Sequence, residues 1–208
     1  MKIGIIGSGH IGGTLAKEFV EHGHEVAISN SRGPETLRDL AAEIGNGVQP
    51  MTAAEAAEFG DVVVVSVPFG HYRDVPAAGT AGKVVIDTNN YYPERDGHFE
   101  QLDDGDTTSS EMLAQRMEGP VVKAFNSIEW EHLRDMGDPN AGADDRIGIP
   151  ISGDDPDAKR MVAELIDELG FTAVDAGSLG SGGRKHQPGT PVYITDMPAQ
   201  ELRSQVGA

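Results

Sequence analysis

"IGIIGSGHIGGTLA", residues 3–16, is the stretch that decides the fold of this chain. A short apolar run leads into Gly7, Gly9 and Gly12 at the spacing G-x-G-x-x-G, and a helical pattern follows at once. In this context the first glycine permits a tight turn, the second lets a pyrophosphate approach the backbone, and the third lets the helix pack on the strand. The stretch therefore predicts an anion site at a helix N-terminus, with an ordinary glycine turn as the alternative.

Two residues inside the motif fall in the first turn of the predicted helix. The backbone amides of His10 and Ile11 lie where free N–H groups meet a bound anion. We interpret the His10 side chain as a wall of the dinucleotide site rather than as a catalytic base.

Short β-rich runs alternate with helical patterns along the rest of the chain, which predicts a Rossmann-type α/β fold. We expect a doubly wound, mainly parallel sheet with a small C-terminal extension. The predicted strands are 2–6, 25–29, one near Val48, 61–68, 83–90, 121–127, 147–153 and 172–177. The predicted helices are 10–22, one from Pro34 to before Gly45, one opened by a capping box at Thr52 and Glu55, 108–117 and 155–171. The tail from Gly177 is rich in Gly and Pro without periodicity, and it predicts a loop.

The composition excludes several classes of function. With 34 acidic against 16 basic residues, the net charge is −18, so nucleic acid is not expected as a partner. The acidic surface is either a solubility adaptation or a face for a protein partner. The absence of cysteine excludes disulfides, thiolate metal sites and a Cys nucleophile. No leader and no membrane-length apolar stretch is recognised, so a cytoplasmic protein without membrane contact is expected.

The end of the second predicted strand indicates which dinucleotide is bound. An acidic residue there would bind both ribose hydroxyls of NAD, but this chain has Asn30, Ser31 and Arg32 instead. Ser31 can donate a hydrogen bond to a phosphate, and Arg32 can pair with it through a charged fork. The segment predicts selection of NADP(H), with a plain surface arginine beside a turn as the alternative.

Several motifs in this order resemble the deazaflavin-dependent NADP reductases, which move hydride between NADPH and coenzyme F420. The resemblance rests on the Gly7–Gly12 motif, "SNSR" at Ser29, "VVSVPF" at Val64, "DTNN" at Asp87 and "VVKAFNS" at Val121. It extends to about Gly177, whereas the tail beyond does not match. The cytosolic reductase domains of membrane metalloreductases look similar too.

The resemblance implies a set of site residues at the C-terminal ends of the strands. Residues 1–150 form the NADP-binding domain, and residues 151–208 help to form the acceptor pocket and a dimer interface. Pyrophosphate and ribose lie on the glycine motif, the 2′-phosphate lies on Ser31 and Arg32 beside Asn30, and the acceptor stacks near the strand ends. The implied cofactor-binding residues are Gly7, Ser8, Gly9, His10, Ile11, Gly12, Asn30, Ser31, Arg32, Ser66, Val67, Pro68, Asn89 and Asn126.

Hydride transfer depends more on positioning two rings than on acid–base groups. No serine triad, metal-ligand cluster or carboxylate pair stands at a suggestive spacing, so neither a catalytic side chain nor a metal is assigned. The cations available to an anionic acceptor are Lys123, Arg184, Lys185 and His186. The alternative is an ion pair within the fold for Lys123 and a plain exposed loop for the other three. Aromatic rings for the floor of the site are Phe69, His71, Tyr72, Tyr91 and Tyr92, whereas Trp130 is expected in a core or interface.

The sequence is compatible with three functions. The first is an NADP(H)-dependent oxidoreductase, a homodimer whose small-molecule acceptor is coenzyme F420. The second keeps NADPH but reduces a flavin, a ferric chelate or a small imine or carbonyl compound, for which Tyr91, Tyr92 or His71 would donate a proton. The third is a non-enzymatic NADP(H) redox sensor with a protein partner.

Overall fold

In the computed structural model, which describes residues 1–45 and 47–208, eight strands form one sheet in the order β3-β2-β1-β4-β5-β6-β7-β8. All neighbouring strands run parallel except β6 and β7, which are antiparallel. The strands are β1 (Lys2–Ile6), β2 (Glu25–Ser29), β3 (Val48–Pro50), β4 (Val62–Val65), β5 (Val84–Asp87), β6 (Val121–Lys123), β7 (Gly148–Gly153) and β8 (Thr172–Gly177). The order of β1 to β6 is that of a doubly wound Rossmann sheet, which confirms the predicted fold class.

Helices cover both faces of this sheet. The α-helices are α1 (His10–Glu21), α2 (Arg38–Ile44), α3 (Ala53–Phe59), α4 (Pro93–Asp96), α5 (Glu100–Asp103), α6 (Ser109–Ala114), α7 (Trp130–Asp135), α8 (Pro156–Glu168) and α9 (Ala199–Val206). Short 3-10 turns span Pro34–Leu37, Phe69–Asp74 and Gly183–Lys185.

The central strand β4 shows why the sheet needs helices on both faces. Its four valines are all fully buried, and they alternate between two separate apolar cores. Val62 and Val64 pack with Leu15 of α1, whereas Val63 and Val65 pack with Leu113 of α6. Successive side chains of a strand point to opposite faces, so an uninterrupted apolar run requires cover on both sides.

Local signals in the sequence set several of the helix boundaries. Thr52 caps α3 and Thr108 caps α6, each in a reciprocal capping box with the glutamate three residues on. Pro34 begins the predicted second helix, although its first turn is a 3-10 turn that α2 continues. The predicted strand pattern and these helices are confirmed.

Three strands end earlier than predicted. The expected ranges 61–68, 83–90 and 121–127 include polar residues that leave the ladder after Val65, Asp87 and Lys123. The first residue after each strand still donates its backbone N–H to a neighbouring strand, and the chain then turns away at the C-terminal edge of the sheet. The three turns lie side by side and supply walls of the clefts described below.

The tail was wrongly predicted to be a loop throughout. A 3-10 turn forms at Gly183–Lys185, and α9 covers the edge strand β8. Ala199, Leu202 and Val206 of α9 form a third small core with Val174 and Ala176. The Gly- and Pro-rich composition hid a helix whose apolar stripe is only two turns long.

The two C-terminal strands extend the same sheet, as expected. The expected boundary at residue 150 lies within β7, and the division into two domains stays a prediction. Among residues 1–45 and 47–208, every helix is too short or too polar to cross a lipid bilayer.

Candidate functional site

The glycine motif connects β1 to α1 and has three distinct steric roles. Gly7 adopts a φ of 114°, and a Cβ there would lie 1.9 Å from the carbonyl oxygen of Ser66. A Cβ on Gly12 would lie 2.1 Å from the carbonyl oxygen of Gly7. Among the described residues, no heavy atom lies within 4 Å of the place that a Cβ on Gly9 would occupy. Packing therefore requires Gly7 and Gly12, whereas the described residues leave open space at Gly9.

The N-terminus of α1 is open to an anion. Gly9 is the N-cap, no side chain caps the helix among the described residues, and its first turn has no acidic residue. Free N–H groups and the positive end of the helix dipole point to the space above Gly9. This geometry suits a diphosphate group.

A cleft of about 410 Å³ lies on one side of the glycine motif, and we call it the donor cleft. Nine of the residues proposed from the sequence line it, together with His71, Asp74 and others. Those nine are Gly7, Ser8, Gly9, Asn30, Ser31, Arg32, Ser66, Val67 and Pro68.

Asn30 lines the donor cleft and also holds the turn at its rim. Its Oδ1 accepts hydrogen bonds from the backbone N–H groups of Arg32, at 2.9 Å, and Gly33, at 3.0 Å. Its Nδ2 donates to Thr36 Oγ1 at 2.9 Å, so the turn is closed on both sides. Ser31 and Arg32 are exposed at the tip of this turn, and no ion pair involves Arg32 among the described residues. The guanidinium is thus available to a ligand phosphate.

A second cleft, of about 370 Å³, lies on the other side of the glycine motif. The turns after β5 and β6 supply most of its wall, and the tail supplies Tyr193. Its lining residues are Ile11, Thr88, Asn90, Phe125, Asn126, Ile128, Glu129, Trp130, Glu131 and Tyr193. Phe125 holds a φ of 59°, which is unusual for an aromatic residue and turns the chain sharply after β6.

Asn126 joins the second cleft to the tail. Its Nδ2 donates to Asn90 Oδ1 at 3.0 Å and to the carbonyl oxygen of His186 at 2.8 Å. Its Oδ1 lies 2.9 Å from His186 Nδ1, and His186 Nε2 lies 2.8 Å from Ser152 Oγ. Since Asn126 Oδ1 only accepts, Nδ1 carries the proton of a neutral His186 and Nε2 accepts from Ser152. The amide that was expected to face the acceptor is therefore largely committed to fixing the tail.

Three of the four cations expected to receive an anionic acceptor are bonded within the fold, whereas the half-buried Arg184 has no ion pair among the described residues. Burial, reinforced by the charges of Lys123 and Lys185, lowers the pKa of His186 to about 3, so it is neutral. Lys185 Nζ donates to the carbonyl oxygens of Ala176 and Val206 and pins α9. Lys123 is fully buried, and that burial lowers the pKa of its side chain below the ordinary value despite the nearby carboxylate of Asp87.

Most of the predicted aromatic floor is a packing cluster instead. Phe69 stacks on Tyr72 with ring centroids 4.7 Å apart, and Tyr91 meets Phe69 edge to face. His71 lines the donor cleft. The hydroxyl of Tyr92 contacts the hydroxyl of Tyr193, a cleft residue that the sequence did not reveal.

Trp130 was expected in a core or an interface, but it is half-buried and lines the second cleft. It stacks on His10, with ring centroids 4.8 Å apart, and the guanidinium of Arg134 lies over its ring. A cavity of about 530 Å³ beside this stack lies between α1, α2 and α7 and is also lined by Ser8 and Gly9 of the glycine motif. His10 lines this cavity but neither the donor cleft nor the second cleft, so its role as a wall of the dinucleotide site stays a prediction.

Comparison with known proteins relates the chain to NADP-dependent enzymes. A family model described as "NADP oxidoreductase coenzyme F420-dependent" matches residues 2–91. The hypothetical protein SMa0349 from Sinorhizobium meliloti is 32% identical, with 95% of each chain covered and a TM-score of 0.81. A protein from Arthrobacter sp. FB24, proposed to be an F420-dependent NADP reductase, is 27% identical, with 86% of each chain covered and a TM-score of 0.72.

A curated relative is much longer than this chain. Metalloreductase STEAP3 of Rattus norvegicus is 31% identical over 184 residues, which are 86% of this chain and 34% of that protein. The chain thus spans about a third of the length of the curated relatives it matches.

Proposed function

We propose that this chain, a member of the family of coenzyme F420-dependent NADP oxidoreductases, transfers hydride between NADP(H) and a deazaflavin of the coenzyme F420 type. The observation that carries this proposal is the position of the glycine motif between two clefts. Ser8 and Gly9 line the donor cleft and Ile11 lines the second cleft, so one ligand crossing α1 reaches both.

The donor cleft fits NADP(H) residue by residue. The open N-terminus of α1 and the space at Gly9 receive the diphosphate, and Ser31 and Arg32 receive the 2′-phosphate. Ser66, Val67 and Pro68 form the wall opposite the glycine motif. Asn89 and Asn126 follow β5 and β6, toward which the nicotinamide end extends. When bound, NADPH supplies a hydride from its nicotinamide ring, and the protein excludes water and aligns the two reactants.

The second cleft provides stacking surfaces for a flat acceptor ring. Ile11, Phe125 and Trp130 supply apolar and aromatic surface, and Asn90 and Tyr193 supply polar atoms at one end. No basic residue lines this cleft among the described residues, so the anionic chain of a deazaflavin would extend outside it. The protein's part in this cleft is to hold the ring and donate hydrogen bonds to its heteroatoms.

A second acceptor class is favoured by Glu129, Glu131 and the Tyr92–Tyr193 pair. The carboxylates at the rim favour an uncharged acceptor, and a phenol can donate the proton that accompanies hydride when an imine or carbonyl is reduced. A flavin or a ferric chelate is a further alternative, given the metalloreductase relatives. A redox sensor would bind NADPH tightly without turnover.

The donor is tested first, by the dissociation constants of NADPH and NADH. Arg32→Ala should weaken the binding of NADPH by about 30-fold, since a charged hydrogen bond is worth roughly 1.5–3 kcal/mol. The affinity for NADH should stay unchanged. Arg160→Ala on α8, an exposed arginine remote from both clefts, is the matched control. Equal affinity of the parent for both nucleotides would contradict the assignment of NADP(H).

The acceptor is tested by absorbance with NADPH and, separately, F420, FMN, FAD, ferric chelate and a cyclic imine. Oxidation of NADPH with F420 alone supports the deazaflavin, and turnover with the imine alone supports the second class. Binding without turnover on any of these acceptors supports the sensor. A homodimer and a cytoplasmic location stay predictions, and sedimentation velocity measures the first.

A further inference from the structure

A buried polar network lies beneath the C-terminal ends of β5 and β6. Asp87 and Lys123 are register partners in the two neighbouring strands, and both are almost fully buried. Ser110 of α6 joins them, since its Oγ donates to Asp87 Oδ2 at 2.6 Å and accepts from Lys123 Nζ at 3.1 Å. These buried polar groups satisfy one another, because desolvation without a hydrogen-bond partner is costly.

The network ends on Asn89, which lies two residues after the end of β5 at Asp87. Lys123 Nζ donates to the carbonyl oxygen of Asn89 at 2.9 Å, and Asp87 Oδ1 accepts from its backbone N–H at 2.9 Å. Asn89 Oδ1 accepts from the backbone N–H of Val67 at 2.9 Å. Three of the four polar positions of Asn89 are therefore held by the protein.

The fourth position is the amide nitrogen. Asn89 Nδ2 is buried and has no hydrogen-bond partner among the described residues. A buried donor without a partner costs free energy, and such donors in native proteins are rare. With the other polar groups fixed, the side chain cannot rotate away to find water, so Nδ2 is presented in one direction.

Asn89 itself lines neither cleft, but its hydrogen-bond partner and its chain neighbours line one each. Its partner Val67 lines the donor cleft, and its neighbours Thr88 and Asn90 line the second cleft. In a doubly wound sheet, a dinucleotide crosses the strand ends at this place.

We propose that Lys123 is a positioning residue, which holds Asn89 so that Nδ2 donates a hydrogen bond to an oxygen of the nicotinamide nucleoside. The inference rests on the proposed binding of NADP(H). Lys123 and Asp87 make no direct ion pair among the described residues; Ser110 bridges them, and each also bonds the backbone of Asn89. Two buried charges add little net stability compared with apolar residues, so the role we assign to them is the fixed geometry they give Asn89. The hydrogen bond concerns only the nicotinamide half of the ligand, because Arg32 and Ser31 serve the other half.

Calorimetric titration with two probes tests this inference without any acceptor. NADP+ carries the nicotinamide nucleoside, whereas adenosine 2′,5′-bisphosphate lacks it and still contacts Arg32. Asn89→Asp keeps the oxygen that accepts from Val67 but lacks the Nδ2 donor. We expect both Asn89→Asp and Lys123→Met to bind NADP+ about tenfold more weakly and the bisphosphate with unchanged affinity. Lys159→Met on α8 is the lysine control.

A double variant separates positioning from stability. Asp87→Asn with Lys123→Met removes both buried charges of the network, so the melting temperature should recover relative to Lys123→Met alone, which leaves the Asp87 carboxylate uncompensated. We expect NADP+ to stay about tenfold weaker in the double variant, because the carbonyl of Asn89 still lacks its donor. Recovery of NADP+ affinity along with the melting temperature would show that Lys123 acts only on stability and would overturn the inference.

The two failures are distinguishable. If the parent protein binds neither probe, the proposed NADP(H) site is wrong. If the parent binds both probes and the variants weaken both equally, or neither, the NADP(H) site stands and the role of Lys123 and Asn89 is refuted.

Discussion

The donor cleft and the second cleft share the glycine motif, but they are built in different ways. The donor cleft takes its lining from residues 6–75, in turns that each follow a strand of the first half of the sheet. The second cleft combines residues as distant as Ile11 and Tyr193, and its amides are tied to the tail through His186. The donor cleft thus keeps groups available for a ligand, whereas many polar groups of the second cleft are bonded to one another and to the tail.

Gly7→Val is expected to have the largest effect, because it alters the glycine motif that both clefts share. A Cβ there meets the carbonyl of Ser66 at 1.9 Å, and the φ of 114° is strained for valine. Strain and overpacking together should cost about 4 kcal/mol in the free energy of unfolding. Urea denaturation measures this cost. Gly13→Ala has open space at its Cβ, so it should be neutral or slightly stabilising.

The pH dependence of stability tests the acceptor side alone. His186 has a pKa of about 3 in the folded protein, and the unfolded chain binds a proton near its ordinary value of 6.5. Because the unfolded state binds more protons, this stability is complete above the unfolded pKa and falls as the pH decreases toward 3. The loss should reach about 2 kcal/mol by pH 5.

Comparison with His186→Gln isolates that contribution from the titration of other groups. The variant should lack this part of the slope between pH 6.5 and 5, measured by urea denaturation at each pH. Parallel stability curves for the parent and the variant would show that His186 is not held neutral in the fold.

Gly9→Ala separates folding from binding on the donor side. No described atom lies within 4 Å of the added Cβ, so the free energy of unfolding should change little. The methyl group occupies the space left for the diphosphate, and NADPH should bind about tenfold more weakly or worse. Calorimetric titration of NADPH measures the effect, and unchanged affinity would contradict the diphosphate position.

Tyr193→Phe is expected to have the smallest effect, and only on the acceptor side. The variant keeps the ring but removes the hydroxyl that contacts Tyr92 and accepts from Asn90. Loss of about 1 kcal/mol would raise the KM of the acceptor about fivefold, while the dissociation constant of NADPH stays the same. An equal change in both constants would contradict the separation of the two clefts.

Prediction from the sequence succeeded where neighbouring residues determine the outcome. The glycine motif, the turn at Asn30 and the capping boxes at Thr52 and Thr108 depend on contacts within a few residues. It failed for α9 because that helix is specified mainly by packing on β8, a contact between segments more than twenty residues apart. Lys123 stood out as a lone cation in an apolar strand, but only the strand register shows that Asp87 is its partner.

The sequence by itself determined a doubly wound sheet and a glycine turn at the start of α1, because local spacing and residue chemistry specify both. An anion site at that turn and a phosphate-binding turn suited to NADP(H) stay predictions of the same local signals. Only the tertiary structure decided that Tyr193 of the tail lines the second cleft, that Lys185 and His186 are bonded within the fold and that Asn89 presents one donor without a partner among the described residues. Those features arise from long-range burial, which determines whether a polar side chain is left for a ligand or consumed by the fold.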